Sequence, residues 1–155
     1  MSRAEKAKEY FLQGYACSQA VALAFKDIMG VDEATISKIM LPFGGGLGRL
    51  RLTCGAVSGM AAVIGSACAN AENSPENKKR TYAIVQELCG KFQEQNGSLI
   101  CGELLSGMKL PVEVGGVAEA RTKEYYKKRS CAELVACATS ILEEYLKENG
   151  KILSE

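Results

Sequence analysis

A stretch of twenty residues without a charged side chain, 52–71, is the clearest pattern in the chain. It reads LTCGAVSGMAAVIGSACANA, and six of these residues are alanine and three are glycine. A run of this length meets one criterion for a membrane span, but bulky apolar side chains are few, which favours a buried helix at the centre of a soluble bundle. Gly55 and Gly59 lie on one helix face, where a second helix, a bound group or a second copy of the chain can approach the backbone closely.

Apolar residues recur at helical spacing through most of the remaining chain, and no long segment alternates as a strand would. The pattern predicts helices over 2–13, 18–29, 33–40, 75–95, 98–107 and from 130 onward. A loop is predicted over 107–116, and a solvated helix face over the charged segment 117–129. These elements predict an all-α fold: one domain over 1–155, a compact bundle of about six helices around a small-residue-rich central helix, 52–71.

Side chains that cap helices mark four of the predicted starts. Asp32 is a good N-cap for the third helix, and Thr53 is one for the central helix. Ser74 is followed by a proline, a residue favoured in the first turn, and this pair marks the next start. Ser130 and Glu133 form the pattern of a capping box at the start of the last helix.

Composition limits the size, the partners and the compartment. The 155 residues are 47% apolar, enough for one globular domain with a sizeable core. Nineteen basic and eighteen acidic residues leave a formal charge of +1, which gives no reason to expect a nucleic acid or an anionic membrane as a partner. The first residues, MSRAEKAKEYF, lack the apolar core of a secretory signal, and we expect a cytoplasmic protein without membrane insertion.

The chain has no histidine, which excludes Ser-His and Cys-His dyads, His-ligated zinc and His-ligated haem. The glycine-rich segment 42–53, PFGGGLGRLRLT, lacks the Lys-Ser/Thr pair and the preceding strand of a nucleotide-binding loop. We interpret it as a tight connection in which Gly45, Gly46 and their neighbouring glycines present backbone N–H groups as an anion nest. A functional site must therefore be built from cysteines, charged side chains, hydroxyls and backbone.

The seven cysteines fall into two classes. Four follow a turn that contains Gly, Ser or Thr and open a predicted helix: Cys17, Cys54, Cys101 and Cys131. A thiol at a helix start shares the end of its helix, so we expect these four to converge at one end of the bundle. Helix N-termini favour thiolates, and we expect Cys54 to be the reactive one if no cluster binds. The other three lie in mid-helix as small hydrophobes and should be dispersed: Cys68, Cys89 and Cys137. From the residues alone, burial as small side chains explains the first four equally well.

Four segments carry a family resemblance that covers nearly the whole chain: 14–21, 44–59, 96–107 and 129–146. They are similar to the family of redox-active proteins named for its C-GCAxxG-C-C cysteine pattern, whose central Cys-Gly-Ala-x-x-Gly element matches 54–59. The resemblance implies that the family's recurring cysteines are Cys17, Cys54, Cys101 and Cys131. It also implies a redox or metal-centre protein with an electron-transfer or transporter-linked partner. A similar domain in certain multihaem cytochromes carries an iron–sulfur centre, but no haem function carries over, because this chain lacks haem-binding motifs and histidine.

Three functions fit these observations. In the first, the four cysteines ligate an iron–sulfur cluster or act as a thiol/disulfide relay, and the backbone at Gly45, Gly46, Gly55 and Gly59 contacts the cofactor. In the second, the cysteines form a non-catalytic zinc or soft-metal site for metal handling. In the third, the protein is a structural bundle without a cofactor. We also expect a homodimer, because the glycine-faced helix could pack against a copy of itself.

Overall fold

The computed structural model describes residues 1–153, and this part of the chain forms an all-α fold. Its only β-type pairing is an isolated bridge between Thr53 and Ile100. The eight α-helices of the described residues are α1 (Arg3–Leu12), α2 (Cys17–Leu23), α3 (Glu33–Met40), α4 (Gly55–Cys68), α5 (Pro75–Asn96), α6 (Cys101–Gly107), α7 (Lys123–Lys128) and α8 (Cys131–Glu148). The predicted all-α class is confirmed, with eight helices in place of about six.

The short helix α2 occupies the centre of the packing. It contacts α1, α3, α4 and α8, and every residue from Ser18 to Leu23 is buried. Its two polar side chains reach α3: the Ser18 hydroxyl donates to the Met40 carbonyl at 2.7 Å, and the Gln19 amide donates to the Ser37 carbonyl at 2.9 Å. Because buried polar groups are costly without partners, these two bonds allow a helix with polar residues to lie in the core.

The predicted central helix, α4, shares this position over its first half only. Its buried residues lie between Gly55 and Ile64, whereas Gly65 and Ser66 are exposed. The glycine face packs on α2, since a Cβ at Gly59 would lie 2.7 Å from the Ser18 carbonyl oxygen. The face that motivated the predicted homodimer is thus covered by a helix of the same chain, and a dimer would need a different surface.

Several predicted boundaries are corrected by contacts that are distant in sequence. The helix predicted over 52–71 begins at Gly55, and its N-cap is Cys54 rather than Thr53, because Thr53 is held extended by its bridge to Ile100. The helix predicted over 18–29 ends at Leu23 and continues as turns.

Two of the four predicted caps form as expected and two do not. Asp32 accepts from the Thr35 N–H, and Ser74 accepts from the Asn77 N–H. The Ser130 side chain makes no capping bond, so the predicted capping box at α8 is wrong. The backbone of Ser130, with ψ at 24°, is not in the extended conformation that an N-cap residue usually adopts.

Helix α8 closes the core by packing on α1, α2, α4 and α5. Its buried residues follow the helical period along one face and include Leu134, Val135, Ala138, Ile141 and Leu142. Among the helices formed by residues 1–153, none combines the length and the apolar character needed to cross a bilayer.

Candidate functional site

Four helix starts meet around one cavity of about 340 Å³. Cys17, Cys101 and Cys131 are the first residues of α2, α6 and α8, and Cys54 is the N-cap of α4. All four line the cavity wall. The remaining cysteines are not part of that wall: Cys68, Cys89 and Cys137. The structure therefore brings together the cysteines that the sequence grouped, and the grouping reflects position at a helix start.

Backbone pairing between two distant segments places Cys54 beside Cys101. The Cys54 N–H donates to the Leu99 carbonyl at 2.8 Å, and the Gly102 N–H donates to the Arg51 carbonyl at 3.0 Å. These bonds flank the bridge between Thr53 and Ile100 and align the two chain segments antiparallel. The segment before α4 and the segment before α6 thus deliver their cysteines to the same end of the bundle.

The glycine-rich segment 42–53 also packs closely against the cysteines. Gly46 has a φ of +75°, and a Cβ on it would lie 2.5 Å from the Cys101 Cβ, so only glycine fits there. Gly45 and Gly55 line the cavity, while Gly46 lies just behind Cys101. Gly59 does not line the cavity and instead packs on α2. Contact of these glycines with a cofactor stays a prediction.

The ionisation of Cys17 is coupled to that of Cys131, and a hydrogen bond from the Cys17 thiol to the Cys131 thiolate is the main cause. This bond lowers the pKa of Cys131 to about 7, against the effect of burial and with help from the charges of Arg129, Arg121 and Arg51. The same bond, together with burial, raises the pKa of Cys17 well above its usual range. The pair is thus set up to hold one proton and one negative charge at neutral pH.

Cys54 has the opposite character. Burial raises the pKa of its thiol to about 12, although the N–H groups of Ala56 and Val57 act in the other direction. Its side chain is 5% exposed, so the loss of hydration outweighs the helix start. These pKa values favour Cys131 over Cys54 as a thiolate, whereas the prediction that Cys54 is the reactive thiol stays untested.

Four arginines surround the thiols. Arg51 is 7% exposed, donates from Nε to the Glu113 carbonyl at 2.8 Å and directs Nη1 toward Cys101 Sγ at 3.7 Å. Arg121 donates to the carbonyls of Phe11 and Tyr15, and its guanidinium stacks on the Phe11 ring at 4.5 Å. The other two arginines on the wall are Arg49 and Arg129.

Sequence reasoning missed the two arginines that come from the segment 117–129. That segment was interpreted as a solvated helix face because its acidic and basic residues alternate. In the structure, Arg121 turns inward onto an aromatic cluster formed by Phe11, Tyr125 and Tyr126. The adjacent tyrosines were the available signal, since arginine stacks on aromatic rings, but their partner Phe11 is more than a hundred residues away.

The four thiols have the donor chemistry of a Cys-ligated centre, yet they are not arranged around a single point. Within residues 1–153, no group of three or more Cys, Asp or Glu side chains is positioned to hold one metal ion. All seven cysteines are free thiols. A structural zinc ion needs four ligands at one point, so it would require the thiols to move. A binuclear iron–sulfur cluster needs two cysteines at each iron, which the donor set can supply.

One comparison with known proteins gives a match. A model of the family described as "Putative redox-active protein (C_GCAxxG_C_C)" matches residues 15–145, most of the chain. This span includes all four cysteines of the cavity. Comparison with curated proteins and with solved structures finds no match.

Proposed function

Since the chain belongs to the C_GCAxxG_C_C family of redox-active proteins, we propose that it works by thiol/disulfide exchange, with Cys17 and Cys131 as the exchanging pair. The observation that carries this proposal is that Cys17 and Cys131 line the same cavity and ionise as a coupled pair, with the pKa lowered at Cys131 and raised at Cys17. A dithiol protein needs one thiolate that attacks and a second thiol that resolves the mixed disulfide. The pair supplies both.

The exchange proceeds in two balanced steps. The Cys131 thiolate attacks one sulfur of a partner disulfide, forms a mixed disulfide and releases the first partner thiolate. Cys17 then loses its proton, attacks Cys131 Sγ and releases the second partner thiolate, which leaves a Cys17–Cys131 disulfide. Two electrons pass from the protein to the partner, and the partner disulfide ends as two thiols. The reverse order oxidises a partner dithiol.

The environment of Cys17 changes between these two steps in the direction that the second step needs. The largest contribution to its raised pKa comes from the negative Cys131 sulfur. Once Cys131 is part of a mixed disulfide, that contribution is gone and the pKa of Cys17 falls, although burial still raises it and Arg121 opposes burial only weakly. Cys17 therefore becomes a better nucleophile only after Cys131 has reacted.

Disulfide mapping tests this proposal. The protein is oxidised with diamide, the remaining thiols are alkylated, and peptides are identified by mass spectrometry before and after reduction. We expect one intramolecular disulfide, between Cys17 and Cys131, that disappears in Cys17→Ser and in Cys131→Ser. Cys137→Ser is the matched control, because Cys137 lies on the same helix as Cys131 and outside the cavity. A disulfide that instead joins Cys54 to Cys101, or none at all, would contradict the proposal.

An iron–sulfur centre is the second candidate function, favoured by the observation that all four family cysteines line the same cavity. Cys17, Cys54, Cys101 and Cys131 would hold the cluster, which when bound would supply one-electron transfer. Arg51 already directs a donor at Cys101 Sγ, and donors of this kind tune the ligand sulfurs.

Cys101→Ser separates the two candidates. Thiol exchange by Cys17 and Cys131 does not use Cys101, whereas a four-cysteine cluster does. After anaerobic purification, the visible spectrum, iron and acid-labile sulfide are measured for the wild type, Cys101→Ser and Cys137→Ser. Colour and iron that are lost only in Cys101→Ser would establish the cluster. A colourless wild type whose Cys101→Ser variant still forms the Cys17–Cys131 disulfide would support the exchange.

A further inference from the structure

We propose that the cavity is built for an anionic substrate, so that the disulfide reduced at Cys131 is a small molecule that carries negatively charged groups. This inference rests on the proposed thiol exchange and deepens it by naming the substrate class. Three observations support this inference: the excess of arginines on the cavity wall, the absence of carboxylate partners for two of them, and the size and burial of the site.

The wall carries far more positive than negative charge. Its charged side chains other than the thiols are four arginines and one glutamate: Arg49, Arg51, Arg121, Arg129 and Glu119. The whole chain has a formal charge of only +1, so the excess belongs to this site. A concave wall of one sign focuses the field and raises the local concentration of an oppositely charged ligand.

Two of these arginines have acidic partners and two do not. Arg129 pairs with Glu119 at 2.9 Å, and Arg49 lies 3.7 Å from Glu113. Among residues 1–153, Arg51 and Arg121 form no ion pair with a carboxylate. Arg51 is buried and Arg121 is half-buried, and the Cys131 thiolate is a negative charge near both, so a bound anion would supply the further counter-charge that a buried guanidinium needs.

The backbone of Arg51 adopts an unfavourable conformation. Its φ is +62°, in the left-handed region that side chains other than glycine rarely adopt. Such a conformation is unfavourable and persists only where the surroundings enforce it. Here the Arg51 N–H donates to the Gly45 carbonyl at 3.1 Å, and its own carbonyl accepts from Gly102. The strained backbone turns the guanidinium inward, toward the thiols.

The dimensions of the site favour a small molecule over a protein disulfide. A volume of about 340 Å³ lies in the range of ligand pockets. Cys131 is 8% exposed and lies inside, while the rim is formed by exposed residues such as Gly48, Gly116 and Ala118. A small disulfide can enter past this rim to reach Cys131 Sγ, whereas a disulfide on a folded protein surface is too bulky to do so. The products are two small anionic thiols and the Cys17–Cys131 disulfide.

Three small disulfides of similar size and different charge test the substrate class: dithiodiglycolate, which is anionic, bis(2-hydroxyethyl) disulfide, which is neutral, and cystamine, which is cationic. The second-order rate of disulfide formation between Cys17 and Cys131 is measured with each at one pH and low salt. We expect dithiodiglycolate to react about ten to a thousand times faster than cystamine, with the neutral compound between them. Raising the ionic strength to 1 M should collapse this ratio, since screening then acts over about 3 Å.

Arginine variants show whether the cavity causes the preference. Loss of Arg51 or Arg121 also weakens the Cys131 thiolate, but that effect slows all three disulfides alike. The deciding quantity is therefore the ratio of the anionic to the cationic rate, which should fall roughly tenfold in Arg51→Gln and in Arg121→Gln. Arg80→Gln makes the same charge change on α5, outside the cavity, and should leave the ratio unchanged.

Binding of thiodiglycolate, a dicarboxylate thioether without an S–S bond, separates this inference from the thiol exchange. Calorimetry should detect its binding to the reduced wild type and to Arg80→Gln, and weaker binding to Arg121→Gln. Binding together with the rate preference supports the inference. Equal rates for all three disulfides, or no binding of thiodiglycolate, would overturn it while leaving the Cys17–Cys131 exchange intact. If no Cys17–Cys131 disulfide forms with any oxidant, the proposed function fails, and this inference fails with it.

Discussion

Cys131 and Cys137 lie on the same helix less than two turns apart, yet they differ in every property that matters for thiol chemistry. The ionisation of Cys131 is coupled to that of Cys17, and three arginines also lower the pKa of Cys131. The two hydrogen bonds of Cys137 are to neutral amides: it accepts from Asn96 at 3.4 Å and donates to Gln95 at 3.1 Å. The comparison shows that the charged and polar groups packed around a cysteine, rather than its presence on a helix, determine its pKa.

The largest effect that we expect is on alkylation by iodoacetamide at pH 6. The pKa of Cys131 is about 7 and the usual value is 9.0, so its thiolate fraction at this pH is about a hundredfold higher than that of an ordinary cysteine. Replacing Cys131 with Ser should remove the fast phase, and Cys137→Ser should keep it. The rate of the fast phase should rise with pH through about 7, because the thiol loses its proton there. A fast phase that survives in Cys131→Ser would break the comparison.

The two ends of α4 allow the next test, on stability. A Cβ at Gly59 would lie 2.7 Å from the backbone oxygen of Ser18, so Gly59→Ala must push α2 and α4 apart. We expect a loss of about 1–3 kcal/mol in the free energy of unfolding, measured by urea denaturation. The same change would move Cys17 relative to Cys54 and should slow the alkylation of Cys131. An unchanged midpoint would mean that the helices do not pack this closely.

Removing the hydrogen-bond donor at Cys17 tests what lowers the pKa of Cys131. In Cys17→Ala the largest cause of the lowered pKa is lost, so the alkylation midpoint of Cys131 should move upward from about 7. A shift of about one pH unit makes alkylation at pH 6 about tenfold slower. Cys17→Ser keeps a donor hydroxyl and should retain most of the lowered pKa. Equal midpoints in the alanine and serine variants would show that the arginines alone stabilise the thiolate.

The smallest effect concerns the far end of α4, where Gly65 is exposed and nothing lies within 4 Å of a Cβ built on it. Gly65→Ala should raise the free energy of unfolding by about 0.5–1 kcal/mol, because alanine loses less backbone entropy in a helix. The alkylation rate of Cys131 should not change. A destabilising effect would show that this end of the helix packs as tightly as the end that carries Gly59.

The sequence by itself determined the features that depend on neighbouring residues. Helical periodicity predicted the all-α class, and the caps at Asp32 and Ser74 formed as expected because a cap bonds within its own first turn. The division of the cysteines also came from local context. Four of them open helices, and these four line the cavity.

Tertiary structure alone decides how the pKa values of these thiols differ. Helix starts look alike in sequence, and Cys54 and Cys131 are both buried. Only Cys131 has Cys17 and arginines from two other segments to offset burial, so its pKa is lowered while that of Cys54 is raised. The pairing of Thr53 with Ile100 and the stacking of Arg121 on Phe11 join residues that no local pattern connects. Desolvation and charge depend on everything packed around a group, so a pattern of neighbouring residues can identify the four cysteines but cannot rank them.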